Sequence, residues 1–388
     1  MKIAMLGTKG IPATWGGIEH HVEEISTRMV NLGHEVTVYC RPYYTTTDEQ
    51  YYKGVRLKKL PTIATKNLDA ITHTFMATMH LLLEDYDIVH YHAIGPSTLS
   101  AFPRLVGKRT VVTVHGLDWQ REKWGSKAKL FLKFGEYASV VFPHATIVVS
   151  KYLKKYLEYK YGKTVNYIPS AVTDPIIRPP NKIREYGLGE RDYILFVARL
   201  VPEKGCHFLL EAHKRLGAKM KLVVAGGSSH SDDYVESLHK MAGDNVIFTG
   251  YVYGETLQEL YSNAYCYVHP STIEGLPVTL LEAVAYGNCV IASDIPANKE
   301  VVQDSGIIFE SENVESLCEA LDKIIKNSEL ARNLGEKAKA LGVKEYNYDS
   351  VTQKTLALYQ EVYERSLHSP TAKIESKLQP PVDSKDAP

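Results

Sequence analysis

The chain has 388 residues, with 45 Lys plus Arg against 45 Asp plus Glu and a hydrophobic share of 44%. That length exceeds one ordinary core and suits two domains. The even charge argues against a nucleic-acid binder, which carries a basic excess. Cys40, Cys206, Cys266, Cys289 and Cys318 are widely spaced, with no C-x-x-C. They read as reduced core residues, not as a disulfide frame or zinc site. The opening apolar run is too short for a signal peptide, and no run approaches the ~20 residues of a membrane span. The expected location is cytoplasmic.

Lys2 to Leu6 reads as a buried strand, followed by a glycine-bearing loop that ends at Trp15-Gly16-Gly17. Ile18, Val22, Ile25, Met29 and Leu32 then repeat at helical spacing, and Glu35 to Cys40 reads as the next strand. This is a unit of a parallel α/β sheet, an architecture that binds ligands at the carboxyl ends of its strands. Gly16 and Gly17 let backbone approach a phosphate or sugar, and a helix start attracts anions. The plainer alternative is a flexible loop with a helix cap. The dinucleotide fingerprint G-x-G-x-x-G is absent.

Asp87 to His92 (DIVHYH) and Thr110 to His115 (TVVTVH) are further strands, so His92 and His115 fall at strand ends. Either is also readable as a satisfied core histidine. Asp85-Tyr86-Asp87 has the look of a metal-binding D-x-D, but it precedes its strand, at the end away from the expected site. No metal site is expected. Arg121 to Lys133 interleaves Lys with Trp, Leu and Phe, as in an amphipathic helix that packs on its own sheet or rests on an anionic membrane surface.

Asp174 to Asn181 holds three prolines and reads as a linker. Tyr193 to Ala198 opens a second α/β run, and the loop Arg199 to Gly205 leads into a helix. Strands follow at Lys221 to Gly226 and Val246 to Gly250, the latter running into Tyr251-Val252. The stretch Ser271 to Ser293 then reads STIEGLPVTLLEAVAYGNCVIAS. Gly275 and Pro277 place Glu274 in a loop, while Glu282 falls inside a helix that Gly287 closes. A carboxylate in such a place accepts two hydroxyl groups at once, and free N–H groups at the helix start seat an anion. The combination suits a sugar nucleotide. From Ser369 on, the composition reads as a disordered tail.

The Glu274/Glu282 stretch resembles the E-x7-E signature of the family 4 retaining glycosyltransferases of GT-B architecture. Arg199 to Gly205 resembles that family's Gly-Arg-Leu-x-x-x-Lys-Gly loop, with Ala198 in place of the first glycine. GIPATWGG is similar to the N-terminal domain of bacterial rhamnosyltransferases, although Ile18-Glu19-His20 replaces the usual Phe-Glu-Thr. The resemblance implies two facing Rossmann-like domains with a central cleft. These are an acceptor-side domain over 1–173, a linker over 174–181 and a nucleotide-sugar domain over 182–345. A helix over 346–366 would cross back to the first domain, and the tail would occupy 367–388.

The resemblance also implies roles. Arg199 and Lys204, with Gly16, Gly17 and the N–H groups near Thr279 and Leu280, would meet the donor diphosphate. Glu282 would bind the ribose. His115 and Glu274 would serve the reacting centre, Tyr251 and Val252 the base, and His92 the acceptor side. The implied reaction moves a sugar from a UDP-, GDP- or dTDP-linked donor to an acceptor hydroxyl with retention. Cell-surface polysaccharide or glycolipid synthesis is its expected setting. No cofactor or metal is expected. The expected partners are the donor, a saccharide or lipid-linked saccharide acceptor, and a peripheral membrane surface. A sugar-nucleotide epimerase on the same fold and a non-catalytic nucleotide- or carbohydrate-binding protein stand as alternatives.

Overall fold

The computed structural model describes residues 1–65, 68–121, 124–217, 219–228 and 231–367. The expected tail lies outside these residues, as do two positions of the expected 121–133 helix. The strands of the first half are β1 (Lys2–Leu6), β2 (Glu35–Cys40), β3 (Tyr51–Tyr52), β4 (Val55–Lys59), β5 (Ile88–His92), β6 (Arg109–Val114), β7 (Ala145–Val148) and β8 (Asn166–Tyr167). Those of the second half are β9 (Tyr193–Val197), β10 (Lys221–Ala225), β11 (Val246–Gly250), β12 (Cys266–His269), β13 (Cys289–Ser293) and β14 (Gly306–Phe309).

Among the described residues they form two sheets, ordered β3-β4-β2-β1-β5-β6-β7-β8 and β11-β10-β9-β12-β13-β14. The second order is the doubly wound 3-2-1-4-5-6 pattern, and the first contains it with the hairpin strand β3 added at one edge and β8 at the other. The pairs from β2–β4 to β5–β6 and all those of the second sheet are parallel, while β3 joins β4 antiparallel. The central strands are buried on both faces, which is why β9, β10 and β12 are mainly apolar rather than alternating.

The chain divides into two compact units. One holds Met1–Val114, Phe134–Ile147 and the stretch from Thr352 on; the other holds His115–Lys133 and Val148–Val351. The loop after β6 therefore groups with the second unit, unlike the division at residue 173 that the resemblance implied.

In the first unit, the helix Gly17–Asn31 buries Val22, Ile25 and Met29 as its spacing predicts. Leu32 departs from that expectation. The helix ends before it, His34 N–H bonds back to Met29 O at 3.0 Å, and Leu32 is 57% exposed. The long final helix, Tyr348–Leu367, lies mostly in this unit, where Tyr359 Oη meets His90 Nδ1 at 2.6 Å.

In the second unit, Ile194, Phe196, Leu222, Val224, Val268 and Ile291 from the sheet pack with Leu209, Leu317 and Leu321 from helices. Each such side chain, once fully buried, contributes roughly 1.5–3 kcal/mol. The helix expected over 121–133 forms later, over Ser126–Val141, behind a short turn at Asp118–Gln120. Gly125 weakens helix at the earlier position, and the apolar residues that anchor this helix continue to Ala138 and Val140. The expected linker has no regular structure, but its end is tied down: Asn181, Lys182 and Ile183 donate their N–H groups to Glu259 Oε2 at 2.7–3.1 Å.

Candidate functional site

The order of the second sheet reverses between β9 and β12, and in doubly wound sheets ligands bind beside such a reversal, at the strands' carboxyl ends. Two loops leave those ends here. The β9 loop carries Arg199 and Lys204; the β12 loop runs from Pro270 through Glu274 and Gly275 to the helix Val278–Tyr286. Two close approaches hold them together. Gly205 has φ +69°, and a Cβ there would collide with Pro270 O. Thr272 N–H also donates to Glu203 O at 3.0 Å.

The result is an ion pair between Lys204 Nζ and Glu274 Oε1, with both side chains mostly buried. His269, the last residue of β12, donates from Nε2 to the same Oε1 at 2.9 Å. The Tyr267 hydroxyl lies 3.2 Å from His269 Nδ1, on the other side of the ring. Among the described residues Oε2 of Glu274 accepts no hydrogen bond, so it is left for a ligand. Burial opposes ionisation of Glu274, but the Lys204 charge and the His269 hydrogen bond outweigh it and hold the carboxyl well below the usual range. Lys204 is lowered by burial and by the nearby Arg199 charge, with Glu274 pulling the other way. Arg199 is likewise lowered by burial and by Arg121.

These cations share a small pocket with Glu203, Glu274, Gly116, Leu117, Ile273 and Gly275, so three cations face two carboxylates there. Arg121 pairs with Asp118 at 3.1 Å, whereas Arg199 has no hydrogen-bond or ion-pair partner among the described residues. An unpartnered guanidinium next to two more cations is a seat for an anion of high charge. His115 enters this site through its backbone: a Cβ on Gly275 would collide with His115 O. Only glycine at 275 lets the His115-Gly116 turn lie against the Glu274 loop.

The helix Val278–Tyr286 adds a second anion-binding feature. Its first turn has no side-chain cap. Val278 and Thr279 N–H groups have no acceptor among the described residues. Leu280, expected to share that duty, already donates to Pro277 O at 3.1 Å. Further along the helix, Glu282 Oε2 accepts from Tyr261 Oη at 2.9 Å. Burial pushes the Glu282 carboxyl up to about 7, against the pull of that hydroxyl. Tyr251 lies over Gly227, donates to Gly227 O and Ser228 O at 3.0 Å each, and stacks with Tyr253. Burial raises the Tyr251 hydroxyl and the nearby Arg199 charge pulls the other way, with Val252 following in the same loop.

Residues expected in the site from the first unit are different. His92 is fully buried against His90, with ring centroids 4.1 Å apart, and has no surface to offer an acceptor. The acceptor-side role read for it is therefore corrected to a core position. His90 is a satisfied core residue, between Tyr359 Oη and Thr113 Oγ1 at 2.6 and 2.7 Å. At the start of the Gly17–Asn31 helix, Gly16 faces the carboxylate of Glu19, which also accepts from Lys9 N–H at 3.1 Å. That turn already carries a negative group, which alters the simple phosphate seat expected at Gly16 and Gly17.

Sequence reasoning missed His269, Tyr261, Arg121 and Trp119. His269 was accessible to the strand-end rule that picked out His92 and His115. Tyr261 carries no local signal, because its partner Glu282 stands 21 positions away. Among the described residues no helix is long and apolar enough to cross a membrane, and no group of His, Cys, Asp or Glu is arranged to hold a metal ion.

Two doubly wound units, one bearing a cationic pocket at its sheet reversal, define an enzyme of GT-B architecture. The solved structures that share the fold include sucrose-phosphate synthase from Thermosynechococcus elongatus, with TM-score 0.81 and 20% identity over 94% of this chain and 99% of that one. Anabaena HepE, solved with UDP and glucose, gives TM-score 0.78 and 17% identity over 93% and 100%. The family model for glycosyl transferases group 1 matches residues 180–341, and that for glycosyltransferase family 4 matches 15–174. The chain belongs to the family 4 glycosyltransferases, enzymes of the hexosyltransferase type. Its relatives include an uncharacterized glycosyltransferase of Methanocaldococcus jannaschii, 27% identical over 93% of this chain and 98% of that protein. Another is the GDP-mannose-dependent alpha-(1-6)-phosphatidylinositol monomannoside mannosyltransferase of Mycobacterium tuberculosis, 26% identical over 91% and 97%.

Proposed function

We propose that this glycosyltransferase moves a sugar from a nucleoside-diphosphate donor to an acceptor hydroxyl with retention of configuration, in the synthesis of a glycolipid or polysaccharide. The observation that carries this is the convergence of Arg199, Lys204 and Glu274 in one pocket at the sheet reversal. Arg199 and Lys204 hold the diphosphate, with the Val278 and Thr279 N–H groups adding to the seat. Negative charge grows on the diphosphate as the glycosidic bond breaks, and fixed cations in a mostly buried pocket stabilise that charge without reorganisation. They neutralise the leaving group with no metal. Glu274, pinned through Oε1, offers Oε2 to a hydroxyl of the donor sugar, and Glu282 receives the ribose hydroxyls. His115 closes the site beside Gly275. The acceptor attacks from the face the diphosphate leaves, and a departing phosphate oxygen takes the acceptor proton.

The test is turnover of UDP-, GDP- and dTDP-sugars in excess chelator, with the anomeric configuration of the product read by NMR. A retained product, with kcat lowered about 10²–10³-fold in Arg199→Ala, supports the reading. Epimerised donor formed without any acceptor would replace it with the epimerase alternative. A membrane-surface role draws on the helix Ser126–Val141, which exposes Leu130, Phe134 and Tyr137. Flotation with anionic vesicles, lost on Leu130→Glu, tests it.

A further inference from the structure

A second cavity, of about 500 Å³, shares Ile273 and Glu274 with the cationic pocket. That volume lies within the range of small-molecule sites, roughly 300–1,000 Å³. Its wall combines aromatic faces, Trp119 and Tyr152, with two ammonium groups, Lys129 and Lys133. Lys133 Nζ stands 5.1 Å from the centroid of the Trp119 ring. Neither lysine makes an ion pair among the described residues. Among the described residues the one carboxylate lining the cavity is Glu274, and Lys204 neutralises it. The cavity therefore has a net positive wall, flat rings on which a sugar's C–H face can rest, and an opening onto the carboxylate assigned to the reacting sugar.

We propose that this cavity is the acceptor subsite, and that the acceptor sugar carries an anionic group, a phosphate or a carboxylate, held by Lys129 and Lys133. The inference rests on the transferase reading, because it places the acceptor beside Glu274. A neutral acceptor would make no use of the two ammonium charges, of which Lys129 is half-buried and Lys133 exposed. An anionic one gains charge-assisted hydrogen bonds from both.

The test titrates glucose, glucose 6-phosphate and glucuronate into protein already saturated with its preferred nucleoside diphosphate, with binding followed by calorimetry. Saturation keeps the added anions out of the Arg199 pocket. One or both anionic sugars bind at least tenfold more tightly than glucose, and which of them does so identifies phosphate or carboxylate as the recognised group. The Lys129→Ala/Lys133→Ala variant loses that preference while its nucleotide affinity is unchanged. Trp119→Ala weakens all three sugars alike. Equal binding of the three sugars to the native protein, or an anion preference that survives in the double lysine variant, overturns the proposal. If no nucleoside diphosphate binds the native protein, it is the underlying transferase reading that fails.

Discussion

Glu274 is held at one oxygen from two directions, by Lys204 and by His269. His269 makes no direct approach to the substrate in this account, so it is a positioning residue. A hydrogen bond to a charged group contributes about 1.5–3 kcal/mol. His269→Ala is therefore expected to lower kcat by roughly 10- to 100-fold while nucleotide affinity stays near native. His269→Gln, which keeps a donor in reach of Oε1, should recover most of the loss. Steady-state kinetics beside calorimetry separates this from general structural damage, which lowers both quantities.

Glu282 gives a pH signature. Its carboxyl titrates at about 7 because it is buried. Below that pH it is protonated and is a poorer acceptor of ribose hydroxyls; above it, it is ionised and binds them well. Nucleotide affinity should rise about tenfold between pH 6 and pH 8 if only the ionised form binds. Glu282→Gln should flatten that dependence. The folding linkage runs the other way. The folded carboxyl is raised above its unfolded value, so its stabilising contribution is complete below the ordinary carboxyl range and is lost as pH rises through about 7. The Tm of ligand-free native protein should fall over that interval more than the Tm of Glu282→Gln.

At the scale of elements, two loops and one helix build the site, and glycine permits their approach. Gly205→Ala meets both a positive φ and the Pro270 carbonyl, and Gly275→Ala meets the His115 carbonyl. Each is expected to cost about 1–3 kcal/mol in denaturant unfolding and to depress activity further by moving Lys204 or Glu274. Much of this level was legible in the sequence. Apolar runs marked the strands of the second sheet, and the Glu274, Gly275, Pro277 and Gly287 punctuation set the loop and helix where they stand. Contacts set by sheet order were less legible. His269 reaches Glu274, and Lys204 meets a residue 70 positions later, because β9 and β12 are neighbours in space. Periodicity also misjudged ends: it counted Leu32 into a helix that stops before it, and began the Ser126–Val141 helix too early. Being at a strand end did not show that His92 was covered.

At the scale of the whole molecule, each unit has its own sheet, while the residues assigned to the diphosphate and ribose, apart from Gly16 and Gly17, belong to the second. A ligand that binds only the folded form stabilises it by about 2.7 kcal/mol at a hundred times its Kd. Saturating nucleotide should therefore slow amide hydrogen exchange most over 199–205 and 269–282. Protection confined to the first unit would place the nucleotide elsewhere.

The most direct measurement is calorimetric titration of UDP, GDP and dTDP in chelator, into native protein and into Arg199→Ala/Lys204→Ala. One nucleoside diphosphate should bind the native protein without metal, and the double variant should lose at least a hundredfold in affinity. Binding that needs a divalent ion, or that survives in the double variant, would contradict the assignment of these two cations to the leaving diphosphate.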